Sequence, residues 1–193
     1  MQPSYKASYQ EGLTTLAAIE NSAESRADFE SLMRQHQAMV FSVAYHFLAD
    51  RSLAEEVAQD VFLSLYRNLD AMKSAAHTTS WLRRVAVQRS IDEARKRKRR
   101  PQASLEDTVE PATPAASLDM LRSDVLRNDA LWRMVAALPE IPRMVVILRY
   151  QEDLSPAEIA AALDRPVATV KSDLQRALAL LREKSARRFG DTL

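Results

Sequence analysis

Apolar residues recur every three or four positions along most of the chain, and polar or proline-bearing clusters interrupt them at intervals of a helix length. Phe29, Leu32, Met33, His36, Val40, Val43, Ala44 and Phe47 trace one face of a helix from Asp28 to Ala49. Ala49-Asp50-Arg51 breaks that pattern. Ser52 then opens a second helix, with Glu55 three residues on completing a capping box and Leu53, Val57, Val61, Phe62 and Leu65 as the inward face. Asn68 to Thr79 reads as a loop, and a third helix is predicted from about Ser80 to Lys98, with Trp81, Leu82, Val85 and Ile91 as its apolar contacts. Pro101, Pro111 and Pro114, set among Ser, Thr and Ala, mark a connection over 101–118. Packed helices are usually joined by about 2–8 residues, so a stretch this long predicts a domain boundary.

The pattern resumes with a helix from Asp119 to Leu138 and another from Glu140 to Tyr150, with Pro139 and Pro142 at its start. Ser155, Pro156 and Glu158 then place an N-cap, a first-turn proline and a capping glutamate within one short span. Leu163-Asp164-Arg165 forms a turn, and Pro166 opens a last helix that runs to about Arg187. The fold expected from this pattern is all-α. Two small helical domains, 27–100 and 119–187, are joined by a flexible linker over 101–118, and the C-terminal domain is a helix-turn-helix. Residues 1–26 show little periodicity and read as an N-terminal extension, either a tail or a short docked segment.

Composition narrows the function classes. The chain has 193 residues, only two glycines and no cysteine. Phosphate-cradling glycine loops, disulfide frameworks, thiol nucleophiles and thiolate metal sites are therefore not expected. No secretory signal and no long apolar span is visible, which leads to the expectation of a cytoplasmic protein with no membrane insertion. The net charge of +1 conceals an arrangement. Residues 27–100 carry 13 basic and 9 acidic side chains, residues 101–126 carry 1 and 5, and residues 127–193 carry 11 and 9. Two mildly basic modules flank an acidic connector. A chain this close to neutral does not coat DNA non-specifically; it suits a protein that needs a partner to bind DNA well.

The C-terminal turn between two helices carries the most chemistry. Ile159, Ala160 and Leu163 on one helix meet Val167, Val170, Leu174, Ala177, Leu178 and Leu181 on the next, and that stripe leaves Ala168, Thr169, Lys171, Ser172, Gln175 and Arg176 on or beside the free face. Lys171 and Arg176 suit phosphates or guanine edges, Gln175 suits adenine, and Ser172 suits base or backbone. An ordinary helical hairpin with a solvated face fits the same spacing. In the first module, Arg95 to Arg100 form a basic run, with Lys96 within it, at the end of a helix that also carries Arg83, Arg84 and Gln88 on its polar side. The loop ahead of it contributes Lys73, His77, Thr78, Thr79 and Ser80. Loop and helix together suit unstacked bases of an opened strand, with Trp81 mostly in the core and one edge near the loop. Glu55, Glu56, Gln59 and Asp60 form an acidic strip that is either solvated surface or a docking face for a basic protein.

No catalytic, metal or cofactor site is expected. His36, His46 and His77 are scattered, no HExxH string occurs, and a carboxylate pair such as Glu55 and Asp60 means little among so many surface charges. Competing readings are a dimeric repressor or activator using only 119–187, and a protein scaffold without DNA-reading activity.

Three strings, AEEVAQDVFLSLYRNL at 54–69, TSWLRRVAVQRSIDEARKRKRR at 79–100 and LPEIPRMVVILRYQEDLSPAEIAAALDRPVATVKSDLQRALALLREK at 138–184, resemble those of alternative sigma factors of bacterial RNA polymerase, of the extracytoplasmic-function type. The resemblance implies a non-catalytic specificity subunit that binds core polymerase (β and β′ subunits) through the Ser52–Arg67 helix, with Glu55, Glu56, Gln59, Asp60 and Leu63 in contact. It implies that residues 27–100 form sigma region 2 and recognise and help melt the −10 promoter element. Asp70, Lys73, His77, Thr79, Ser80, Trp81, Arg83, Arg84, Gln88, Arg95 and Lys96 would contact that element. It implies that residues 119–187 form sigma region 4 and read the −35 element through Arg149, Thr169, Lys171, Ser172, Asp173, Gln175 and Arg176. An anti-sigma factor is an implied further partner, and no obligate homo-oligomer is expected. Three positions depart from the family pattern: Ala168 stands where a glycine is usual, Asp173 where an arginine is usual, and Gln88 where asparagine is common. Three roles stay open for Asp173 at this point: repelling phosphate, accepting from a cytosine amino group, or pairing with Arg176 or Arg182.

Overall fold

The computed structural model describes residues 27–99 and 130–189. The extension 1–26 and the linker 101–118 lie outside them, as does the first part of the helix expected from Asp119. Among the described residues the chain is helical and has no strand. Helix α1 spans 27–48, α2 Arg51–Tyr66, α3 Ala75–Arg99, α4 130–136, α5 Glu140–Tyr150, α6 Pro156–Leu163 and α7 Val167–Phe189.

Local chemistry sets the boundaries, and in two places it differs from the sequence expectation. Asp50, not Ser52, caps α2: its side chain accepts from the Leu53 N–H at 3.1 Å. Glu55 is thereby free to pair with Arg51 at 2.9 Å rather than close a capping box. Helix α3 starts at Ala75, five residues ahead of Ser80. Ser74 makes this possible, because its Oγ accepts from the His77 N–H at 3.2 Å and its carbonyl accepts from Thr78 N–H at 2.9 Å. The expected loop shrinks to a short connection holding a single 3-10 turn, Leu69–Ala71. The capping box at Ser155 and Glu158 forms as expected, with Pro156 in the first turn. Asp164 ends α6 in the left-handed conformation at φ 53°. Ala49 ends α1 at φ 52°, a conformation that is costly for a residue with a Cβ.

Two sets of helices share one core. Val40, Val43, Ala44 and Phe47 of α1 pack with Val57, Val61 and Leu65 of α2 and with Leu82, Ala86 and Val87 of α3, all buried. The same cluster continues into Met144, Val145, Ile147 and Leu148 of α5, Ile159 of α6, and Val170 and Ala177 of α7. Trp81 and Trp132 are half-buried against it. His36, expected to complete the apolar face of α1, is buried there. Burial and the nearby Arg83 charge lower its pKa.

The halves meet through α3 against α6 and through α1 against α4, α5 and the loop after α5. Arg143 of α5 donates to the Phe47 carbonyl at 3.1 Å, with its guanidinium carbon 4.7 Å from the centre of the Phe47 ring. Ser42 donates to Glu152 at 2.9 Å, and the His46 and Trp132 rings lie 4.3 Å apart. Arg95 reaches Glu140 at 3.2 Å. Exposed ion pairs of this kind contribute about 0–1 kcal/mol each, so apolar burial and the Arg143–Phe47 contact dominate the interface.

Candidate nucleic-acid interface

Helix α7 presents a polar face because its inward stripe is already used. Val170 and Ala177 are buried, with Leu174 and Leu181 half-buried beside them. Lys171, Ser172, Gln175 and Arg176 are consequently exposed, and Thr169 is intermediate. The Ser172 hydroxyl donates to the Ala168 carbonyl at 3.0 Å, which holds the side chain along the helix. Val167, expected in the interface, is 40% exposed. The length and diameter of the helix match what a major groove admits.

Two residues of the expected −35 set lie off this face. Arg149 is at the end of α5, half-buried, and its Nη1 donates to the Leu154 carbonyl at 3.0 Å. It ties down the loop that leads into α6. Asp173 is buried, with a side chain 8% exposed, so it does not face phosphate. Its oxygens accept from Arg165 at 3.5 Å and Arg176 at 3.2 Å. Of the roles left open by the sequence, the structure selects pairing with Arg176. It adds Arg165, a partner across the turn that sequence reasoning missed.

The first module gathers its polar residues along α3 and the connection before it. Asp70, Lys73, His77, Ser80, Arg84, Gln88, Arg95 and Lys96 are exposed, while Thr79, Trp81 and Arg83 are intermediate. The Thr79 hydroxyl donates to the Ala75 carbonyl at 2.9 Å. Arg83 and Arg84 point toward the second half: Arg83 is 4.0 Å from Glu158 and Arg84 is 3.8 Å from Asp164. Glu158 is held ionised by the Ser155 N–H and hydroxyl, which depress its pKa. The basic run is partly matched within the chain, with Lys96 on Glu93 at 3.0 Å and Arg97 on Asp50 at 3.3 Å. These contacts are solvent-exposed and phosphates can displace them.

Helix α2 carries a third surface. Glu55, Glu56, Gln59 and Asp60 are exposed, and Leu63 and Tyr66 stand out beside them at 53% and 55% exposed. Tyr66 meets the Phe29 ring edge-on at 5.3 Å. Acidic residues flanking two projecting apolar side chains make a surface suited to a basic, partly apolar protein partner.

Glu152 sits at the contact between halves. Burial raises its pKa, against the Ser42 hydrogen bond and the Arg83 charge, which lower it. His46 beside it is lowered by burial, against a hydrogen bond with the Ser42 carbonyl. Among the described residues no group of three or more His, Asp or Glu side chains is placed to hold a metal ion. No described helix is long and apolar enough to cross a membrane.

Comparison with known proteins divides the chain in the same way. Residues 32–100 match the family model for sigma-70 region 2, and residues 128–181 match that for sigma-70, region 4. The chain is 31% identical over 158 residues to the ECF RNA polymerase sigma-E factor of Escherichia coli (strain K12), covering 77% of this chain and 82% of that one. It is 28% identical over 166 residues to the ECF RNA polymerase sigma factor SigW of Bacillus subtilis (strain 168), covering 81% and 88%. The fold is similar to that of the sigma factor RpoE in its co-crystal with the anti-sigma factor NepR from Bartonella quintana. The TM-score is 0.64 at 20% identity, over 81% of this chain and 95% of that one.

Proposed function

The chain belongs to the ECF sigma factors of the sigma-70 family, alternative sigma factors that direct promoter recognition and transcription initiation, and from that premise we propose how its surfaces divide the work. Helix α2 docks on core RNA polymerase, with Leu63 as the apolar anchor and Glu55, Glu56, Gln59 and Asp60 as the charged surround. Helix α3 and the connection before it take the −10 element. Arg84, Gln88, Arg95 and Lys96 track the backbone, while the segment from Asp70 to Trp81 holds bases that have left the duplex. Helix α7 enters the major groove of the −35 element with Lys171, Ser172, Gln175 and Arg176.

The chain supplies no bond-making chemistry and needs no cofactor or metal of its own; polymerase forms the phosphodiester bond. Its work is energetic. Two weak readers joined on one partner act at high effective concentration, so their joint contact selects a promoter that neither would hold alone. Capturing unpaired bases lowers the free energy of the opened state and so favours melting. The place of work is the cytoplasm, with core polymerase and promoter DNA as partners and an anti-sigma factor as the regulator. No obligate homo-oligomer is involved.

One observation carries this reading: two polar faces of different helices, α3 and α7, occur in a single chain whose sequence matches both sigma regions in order. The same structure sets a condition on it. The −10 and −35 elements lie about 25 base pairs apart, roughly 85 Å along straight B-DNA. Arg83 and Arg84 stand within 4.0 Å of carboxylates in the second half, so the packed halves must part before both elements are read. The 30 residues between Arg99 and Ala130 reach at most about 100 Å when extended, enough for that separation.

Reconstituted transcription tests the proposal. Purified chain is added to core polymerase on a library of genomic fragments from its own source, and start sites are mapped. Discrete new starts sharing two upstream elements are expected. An absence of such starts, with the same core active under another sigma factor, would refute it.

A further inference from the structure

Asp173 lies on the inward stripe of α7. It follows Val170 by three residues and precedes Ala177 by four, and both of those are fully buried. The helical period turns it inward with them. A carboxylate in that position is costly unless both oxygens are satisfied, and here they are. Oδ1 accepts from Arg176 Nη1 at 3.2 Å and Oδ2 accepts from Arg165 Nη1 at 3.5 Å. The arginines differ in placement. Arg165 is in the turn between α6 and α7, whereas Arg176 lies on the exposed face of α7 with its side chain 65% exposed. A guanidinium has five N–H donors in a planar fork, and Asp173 engages only one of its three nitrogens.

We propose that Asp173 is a positioning residue for promoter reading: its buried carboxylate, fixed from the turn by Arg165, holds the Arg176 guanidinium in place to read a guanine edge of the −35 element. The inference rests on the assignment of α7 as the −35 helix. A bidentate arginine contact to guanine O6 and N7 requires the fork to meet the base edge in plane. A free arginine loses rotamer freedom on reaching that geometry, whereas one already clamped loses less. The Ser172 hydroxyl is turned instead to the Ala168 carbonyl, and Lys171 is exposed; both suit phosphate, which fixes register without carrying sequence. An acidic residue at this position thus forgoes a phosphate attraction of its own and gives order at Arg176.

The test uses full-length chain with core polymerase and a promoter pool whose −35 segment is randomised, so the selection itself reveals the preferred sequence. Wild-type holoenzyme should select guanine at one position by about 10-fold or more. R176A and D173N should both lose that preference at the same base pair, while preferences elsewhere change by less than about 2-fold. D173N keeps the shape of the buried side chain, and a thermal melt checks its fold. R165A, which alters only a partly exposed turn residue, should weaken the same position by about 3-fold. Loss of guanine preference in R176A with retention in D173N and R165A overturns the proposal, and so does a uniform loss at every position in D173N. A wild-type selection with no base preference anywhere in the segment would instead remove α7 as the −35 reader, a separate failure.

Discussion

Arg143 joins the two halves, and removing its head group should change how far apart they sit. It makes one charged hydrogen bond to the Phe47 carbonyl at 3.1 Å and lies 4.7 Å from the Phe47 ring centre. A hydrogen bond from a charged donor contributes about 1.5–3 kcal/mol and a desolvated cation–π contact about 1–2 kcal/mol. Against these stands the cost of burial, which lowers the Arg143 pKa from its ordinary value and leaves its Nε without a partner. The balance is a net loss of about 2 kcal/mol in Arg143→Ala, which is roughly a 30-fold shift from packed to separated halves. Arg143→Met should lose less, because the aliphatic stem still covers the ring. The chain has no cysteine, so D92C and R182C, at exposed positions on α3 and α7, accept a pair of spin labels cleanly. Pulsed electron paramagnetic resonance should show one short distance in the parent and a long-distance population in R143A, with helix content unchanged by circular dichroism. An unchanged distance distribution in R143A with a lowered melting temperature would refute the reasoning. Arg143 would then stabilise the fold without governing separation.

Glu152→Gln retains an acceptor for the Ser42 hydroxyl and removes a buried charge. The raised pKa of Glu152 means its contribution to the packed state is complete below the ordinary glutamate pKa of 4.5 and is lost as pH rises through the raised value. The variant should therefore be more stable than the parent at pH 7.5, with the difference vanishing below about pH 4.5 in paired urea titrations; the effects of His36 and His46 cancel in the comparison. A difference that grows on acidification would contradict this. Ala49→Gly should raise stability by about 1 kcal/mol, read from denaturant midpoints, because Ala49 ends α1 at φ 52°. Leu63→Ala should weaken binding to core polymerase by about 10-fold with little change in melting temperature, since the side chain is 53% exposed and supports no core.

The periodic apolar pattern made the helices legible, and the capping box at Ser155 and Glu158 fixed the start of α6 from sequence alone. Boundaries failed where neighbouring caps competed. Asp50 and Ser52 are both good N-caps, and only the geometry assigns the role to Asp50. Ser74 could have signalled an earlier start for α3, but Thr78, Thr79 and Ser80 obscured it with further candidates. The exposed polar face of α7 was visible because Lys171, Ser172, Gln175 and Arg176 lie opposite an apolar inward stripe. Asp173 was grouped with the DNA-contacting residues although its spacing from Val170 and Ala177 turns it inward; its pairing with Arg176 was among the roles the sequence left open, whereas its pairing with Arg165 crosses a turn. The contacts between halves had no local signal at all. Phe47 and Arg143 are 96 residues apart, and Ser42 and Glu152 are 110 apart.

The proposed division of labour between α3 and α7 can be measured directly in a single promoter complex. A photo-crosslinking residue is placed at Gln88 or at Gln175, both exposed, and the chain is assembled with core polymerase on a promoter identified by start-site mapping. Crosslinks from position 88 should fall in the −10 element and those from position 175 in the −35 element, about 25 base pairs apart, and both should require polymerase. Crosslinks from both positions to one segment, or equal crosslinking of free duplex without polymerase, would contradict the account.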